Sequence, residues 1–370
     1  MDKNLSKKVV MVGVYAGKNA PGGMASVIKA YKLYIDGLRY VTSWKDTNKF
    51  FKLTIAIKAY FILLFTLIFD RRVKIVHFHT AEKNSFWRKA KLLRLSQRFG
   101  KRTIMHIHAA TFKNFYAEST NFCKEKIKDI LNRNAALIVL SESWKNWFIG
   151  IGIPESKIFV INNIIDYPKI EEKKITGDKL HLLFMGELGD RKGIFDILKG
   201  IAKHKNELKD KLEFRIGGNK NELLLTDAIR KNGLDSFVIF EGWVAGEKKI
   251  NLENWADVYI LPSFNEGLPI GILEAISYNN AIISSPVGGI PDIIKSGVNG
   301  LLVTPGDDEE IFNAISMLIN DKELLTKFKT VNGEFIKEYY PETVIRQLSD
   351  LYNVILENKL NCSDREVEYE

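Results

Sequence analysis

Short apolar runs alternate with longer stretches of helical spacing along nearly the whole chain. In the first half the pattern predicts strands over 9–14, 74–78, 102–106, 136–140 and 158–163, with helices over 24–33, 86–99 and 124–132. The second half repeats the rhythm, with strands over 180–185, 212–217, 237–240, 258–261, 281–284 and 300–303 and helices that include 193–203 and 270–278. Strands apolar on both faces, separated by helices, are the signature of parallel β-α-β units. Pro341 opens a last helix over 342–356, apolar at Val344, Ile345, Leu348, Leu351 and Ile355. The expected fold class is α/β, with two Rossmann-like, doubly wound parallel-sheet domains at 1–167 and 168–340. A length of 370 residues suits two cores better than one. The charged segment 168–178 reads as the linker, and the polar, acidic tail 359–370 as disordered.

One stretch breaks the rhythm. Residues 53–69 (LTIAIKAYFILLFTLIF) are polar only at Lys58 and two threonines. A bilayer span needs roughly 20 apolar residues, and the next strand follows within a few positions, so a span is disfavoured. A helix packed into the core is the preferred reading. An interfacial helix on a membrane is the second, because Lys49, Lys52, Arg71 and Arg72 flank the stretch.

Charge sharpens that second reading. Residues 1–165 carry 29 Lys and Arg against 10 Asp and Glu, whereas residues 166–370 carry 25 against 35. A basic excess spread over a whole domain points to an anionic partner: an anionic membrane surface or a phosphate-bearing acceptor. Without an interleaved aromatic and basic motif, no nucleic acid is expected. Two distant cysteines, Cys123 and Cys362, fit a reducing compartment, and the polar start lacks a signal-peptide pattern. The expected location is the cytoplasm, including the inner face of the membrane.

The chemistry concentrates after predicted strands. In SFNEGLPIGILEA (263–275), a strand ends, a glycine turn follows, and Pro269 fits the first position of a helix. A helix start above strand ends offers free backbone N–H groups and partial positive charge, an arrangement suited to phosphate. Glu266 lies before the helix and Glu274 within it, so the two address different parts of one ligand. In FMGELGDRKGIF (184–195), Arg191 and Lys192 sit between a strand end and a helix start. Two such cations can neutralise a departing pyrophosphate. Ligands in parallel sheets gather at strand carboxyl ends, which joins the two motifs.

Two further segments are weaker by themselves. The loop GKNAPGGMA (17–25) has Gly22 and Gly23 for close backbone approach but neither a full dinucleotide fingerprint nor a Walker lysine. Histidines pair at His77 and His79 and at His106 and His108, each pair aimed to one side of its strand. With no third-ligand motif and no D-x-D sequence, no metal is expected. Histidines that hydrogen-bond a sugar are preferred, His108 first.

Together these motifs and the segment VGGIPDIIKSGVNGLLV (287–303) resemble the retaining glycosyltransferases of family four, group one, with the GT-B fold. The resemblance runs over most of the chain and is densest over 180–306. It implies two domains facing each other across a cleft, with the last helix, 341–358, crossing back to the first. It implies transfer of a sugar from a nucleoside-diphosphate-sugar, UDP-sugar first, to a saccharide or lipid-linked acceptor in cell-surface polysaccharide or glycolipid assembly. Carried over by position, Glu274 grips the ribose, Glu266 the donor sugar, and Arg191 and Lys192 the diphosphate. The backbone of Gly267, Leu268, Pro269 and Ile270 holds sugar and phosphates, and Val244 borders the base. Gly22 and Gly23 approach the phosphates, and His108 the transferred sugar. One departure stands out: Glu187 occupies the position where family members often carry arginine, and whether the nearby Arg191 takes over that role is left open by the sequence.

Two other classes fit the same outline. A sugar-nucleotide epimerase shares the architecture and needs no acceptor. A non-catalytic binder of polymer would use the basic half alone.

Overall fold

The computed structural model describes residues 1–17, 20, 23–108, 111–170 and 179–357. The chain divides into two compact units, Met1–Ile165 joined by the segment from Tyr339 onward, and Asp166–Glu338. Each is an α/β domain built on a six-stranded, wholly parallel sheet. Gly22, most of the expected linker (171–178) and the tail from 358 lie outside the described residues.

The first sheet comprises β1 (Val9–Val14), β2 (Arg39–Trp44), β3 (Ile75–Thr80), β4 (Arg102–Ile107), β5 (Ala136–Val139) and β6 (Ile158–Val160). Their order is β2-β1-β3-β4-β5-β6, so the chain reverses its direction of travel between β1 and β3. Helix Pro341–Leu356 belongs to this unit. It buries Val344, Leu348, Leu351 and Tyr352, and the Tyr352 hydroxyl meets His77 Nδ1 at 2.7 Å.

Strand β2 is absent from the sequence expectation. It is an edge strand whose burial alternates, with Val41 and Ser43 inward and polar neighbours between them. Such a half-covered strand lacks the continuous apolar run that marks its central neighbours.

The preference for a core-packed helix over 53–69 is overturned. The helix runs Lys49–Phe69, capped by the Asn48 side chain on Phe51 N, and buries only Ala59, Leu63 and Leu67. That one i, i+4 ridge packs on the first domain's core, and the remaining apolar faces stay open. Among the described residues it is the one helix long and apolar enough to cross a membrane.

The second sheet comprises β7 (Leu180–Glu187), β8 (Leu212–Asn219), β9 (Val238–Gly242), β10 (Val258–Leu261), β11 (Ala281–Ser284) and β12 (Gly300–Leu302). Its order, β12-β11-β10-β7-β8-β9, places the reversal between β7 and β10. Strands β10 and β11 are buried along their whole length, as expected for strands covered on both faces. At a reversal, connections leave adjacent strands toward opposite faces and open a crevice at the carboxyl ends. The loops after β7 and β10, which carry the two strongest sequence motifs, therefore lie side by side.

Candidate functional site

The second domain brings Lys192 and Glu266 together at that crevice. After β7, a short turn Asp190–Lys192 precedes helix Ile194–Lys203. Gly193 joins the two at φ +72°, and a Cβ there would lie 2.4 Å from the Pro262 carbonyl oxygen. Only glycine tolerates both the left-handed backbone and that approach. The close fit presses the Lys192 loop against the loop that follows β10, and Phe264 N donates to the Arg191 carbonyl at 2.9 Å.

The result is an ion pair between Lys192 Nζ and Glu266 Oε1. The same carboxylate oxygen accepts from Ser263 Oγ at 2.9 Å. Glu266 is 6% exposed, so a lysine and a hydroxyl compensate its lost hydration. Arg191 lies further out: its guanidinium donates to the Asn265 carbonyl at 3.2 Å and stands 3.7 Å from Glu187. Glu187 also meets Lys220 at 2.9 Å, and that hydrogen bond, chiefly, holds its carboxyl below the usual glutamate range.

A second glycine shapes the loop from below. Gly288 adopts φ +59°, and a Cβ there would fall 1.8 Å from the Glu266 carbonyl oxygen. Its neighbour Gly289 donates to the Gly267 carbonyl at 2.6 Å. The segment after β11 thus clamps the Glu266–Gly267 backbone. The Ser285 hydroxyl adds a bond to the Ser263 carbonyl.

Above this clamp starts helix Ile270–Ser277. Pro269 is its N-cap, in extended conformation at ψ 117°, one place earlier than the first helical position expected from sequence. The shift is small and its reason local, since proline's fixed φ serves either position while the extended ψ holds the chain outside the helix. Gly267, Leu268 and Pro269 are buried and Ile270 half-buried. The first N–H groups of a helix have no partner within it.

One turn into the helix, Glu274 pairs with Lys249 at 2.5 Å. Burial would lower the Lys249 pKa, but Glu274 and Glu253 outweigh it and hold the ammonium above the usual lysine range. Beyond β9, Trp243 is exposed and Val244 buried against the sheet, where a Cβ on Gly217 would meet it.

The sequence reading missed Ser263, Lys249 and Lys220. Ser263 stands inside the quoted motif without an assigned role. Lys249 and Lys220 come from segments with no motif of their own.

In the first domain Gly23 opens helix Gly23–Tyr34 after β1. The four histidines stack on one side of β3 and β4. His77 Nε2 meets His106 Nδ1 at 3.3 Å, and His79 Nδ1 meets His108 Nε2 at 3.0 Å. Burial pushes His77 and His108 down to about 3, and His79 and His106 well below the usual histidine range, so all four rings are neutral near pH 7. His77, His79 and His106 each offer a ring nitrogen within 4.8 Å of the others. Their rings are inclined to one another by only 18–36°. Both His77 nitrogens are already engaged, one by the Tyr352 hydroxyl and the other by His106.

Two parallel-sheet α/β domains, one with cations beside a helix start at its sheet reversal, define the class of doubly wound α/β proteins. Comparison with known proteins narrows it. The family "Glycosyltransferase Family 4" matches residues 30–167, and "Glycosyl transferases group 1" matches residues 167–334. The two matches are consecutive, and the chain belongs to the group 1, family 4 glycosyltransferases. Both describe glycosyltransferases, which leaves the epimerase reading without support.

A glycosyltransferase of Methanocaldococcus jannaschii with no assigned substrate is 28% identical over 257 residues, 66% of this chain and 66% of its own. The N,N'-diacetylbacillosaminyl-diphospho-undecaprenol α-1,3-N-acetylgalactosaminyltransferase of Campylobacter jejuni is 23% identical over 60% of this chain and 61% of its own. The match thus spans 61–66% of these two relatives' length. Among solved structures, Anabaena HepE with UDP superposes with a TM-score of 0.73 at 16% identity, covering 95% of this chain and 100% of that one. Sucrose-phosphate synthase from Thermosynechococcus elongatus gives 0.75, also at 16%, covering 95% and 99%. These likenesses establish the GT-B fold.

Proposed function

We propose that the protein transfers a sugar, with retention of configuration and without a metal, from a nucleoside-diphosphate-sugar to an acceptor hydroxyl. The observation that carries the reading is the Lys192–Glu266 pair at the sheet's reversal point, beside the start of helix Ile270–Ser277. In this reading the pyrophosphate lies against backbone N–H groups of the segment from Gly267 to Ile270 that leads into the helix, where the helix dipole favours negative charge. Lys192 and Arg191 neutralise the charge that grows on the leaving phosphate. Glu266 accepts from hydroxyls of the donor sugar, and Glu274 from those of the ribose, with Val244 beside the base. His108, a neutral ring, is the first domain's candidate partner for a sugar hydroxyl.

The acceptor oxygen bonds to the anomeric carbon as the carbon–oxygen bond to phosphate breaks on the same face. The departing phosphate oxygen takes the acceptor's proton, so no protein base is required. Catalysis is then a matter of position and electrostatics.

UDP-sugar is the first candidate donor, since HepE is described with UDP and with UDP-glucose. The Campylobacter relative's name includes a diphospho-undecaprenol unit, which supports a lipid-linked acceptor and a role in surface polysaccharide or glycolipid assembly. The sparse, distant cysteines fit a cytoplasmic setting. A thermal-shift screen of UDP-, GDP-, ADP- and TDP-sugars tests the proposal, because a ligand of the folded state raises Tm. One nucleotide series should stabilise the protein, and labelled sugar should then pass to an acceptor. If none raises Tm, the reading fails.

A further inference from the structure

Helix Lys49–Phe69 is apolar over most of its circumference, yet only one of its ridges is used. Ala59, Leu63 and Leu67 form the packed ridge. About half a turn away, Ile57, Phe61, Phe65 and Phe69 repeat at the same i, i+4 spacing and are 49%, 50%, 55% and 76% exposed. Phe50 and Ile68 extend this outward face, and the Phe65 and Phe69 rings stack at 6.0 Å. A soluble surface does not ordinarily leave aromatic residues ordered in a row against water.

The surroundings select the occupant. The helix contains Lys49, Lys52 and Lys58 and no acidic residue, and Arg71 and Arg72 follow its end. A shallow depression at that end is lined by Arg39, Phe65, Phe69, Asp70, Arg71 and Arg72, combining apolar and cationic groups. Asp70 is taken up by Arg39 and Arg72, which leaves Arg71 outside that pairing. The charge of the whole basic half has the same sign.

Topology decides how a bilayer could be met. The strand before the helix, β2, and the strand after it, β3, both hydrogen-bond to β1. A span would carry β3 across the membrane and away from that partner. The helix is therefore a crossover fixed to its own sheet, and its outer face can enter a bilayer only from the side.

We infer that helix Lys49–Phe69 is an in-plane membrane anchor whose Ile57–Phe61–Phe65–Phe69 ridge enters the headgroup–acyl boundary of an anionic lipid surface. Buried apolar area and attraction of flanking cations to anionic lipid act together in such binding. The inference stands apart from the donor chemistry, and its test needs no catalysis.

The experiment is flotation of the full chain with protein-free vesicles, one set of phosphatidylcholine and one containing phosphatidylglycerol. The wild type should co-float with the anionic vesicles and much less with the neutral ones. Phe61→Glu combined with Phe65→Glu should lower the bound fraction at least tenfold while leaving Tm and nucleotide binding unchanged, since neither side chain belongs to the packed ridge. Absence of flotation with anionic vesicles overturns the inference, as does flotation unaffected by the paired substitutions. Concentration-dependent self-association without flotation, abolished by the same substitutions, also overturns it and assigns the ridge to a second copy of the chain.

Discussion

Gly288 lies directly beneath the carbonyl of Glu266, so close that a single added carbon at Gly288 would stand 1.8 Å from that oxygen. The carboxylate of the same glutamate holds Lys192. A backbone contact between two loops thus sets the position of the charged pair, and each part can be tested.

Gly288→Ala should deform the Glu266 loop. The positive φ alone costs about 1–2 kcal/mol for a side-chain-bearing residue, and the collision with Glu266 adds to it. Gly297 has a similar φ of +77°, but an added Cβ there would meet nothing within 4 Å, so Gly297→Ala carries the backbone cost only. Urea unfolding should show the larger loss at Gly288, and nucleotide-induced thermal shifts should disappear in that variant alone.

Lys192→Ala should remove charge stabilisation from the leaving phosphate. By comparison with the loss of one oxyanion-hole donor, the barrier should rise by about 2.7–4 kcal/mol. Turnover at saturating donor should fall roughly a hundredfold to a thousandfold, measured as sugar transferred. Near-normal turnover would count against the assignment.

Glu274→Ala should behave differently. Its proposed contact is with a part of the donor that does not react, so ground state and transition state lose equally. Hydrogen bonds to a charged group contribute about 1.5–3 kcal/mol, so donor KM should rise roughly tenfold to a hundredfold with kcat little changed. A drop in kcat at constant KM would move Glu274 into the reacting centre.

The buried histidines predict acid sensitivity of the first domain. His77 and His108 fall to about 3 in the folded protein because burial disfavours the imidazolium, whereas an unfolded histidine titrates near 6.5. Between those values the unfolded chain binds more protons, so stability is full above about pH 6.5 and declines as pH falls toward 3. Each ring contributes a slope of about 1.4 kcal/mol per pH unit within that window. Urea unfolding at pH 7.5 and 5.5 should show it, and His77→Gln should make the dependence shallower. An unchanged slope in that variant would remove His77 from the account.

Much of the second domain was legible in the chain because its signals are local. Strand β10 is a continuous apolar run, and a glycine turn and proline follow it in sequence, so strand, loop and helix could be placed with an error of one residue at Pro269. Strand β2 escaped because an edge strand needs only Val41 and Ser43 inward, a pattern too short to separate from a polar loop.

Sequence alone determined which residues could carry chemistry: Glu266 and Glu274 flanking a helix start, Lys192 in a loop, histidines in alternating pairs. Local spacing and side-chain type suffice for that. Tertiary structure decided the partnerships, joining Ser263 and Lys192 on one carboxylate, Lys249 to Glu274, and Gly288 to the loop above it. It also left the Phe61–Phe65 ridge outside the core, although that ridge is as apolar as the Ala59–Leu63–Leu67 ridge inside. A helix that is apolar over most of its circumference does not specify which face is covered; the strand and helix it packs against do.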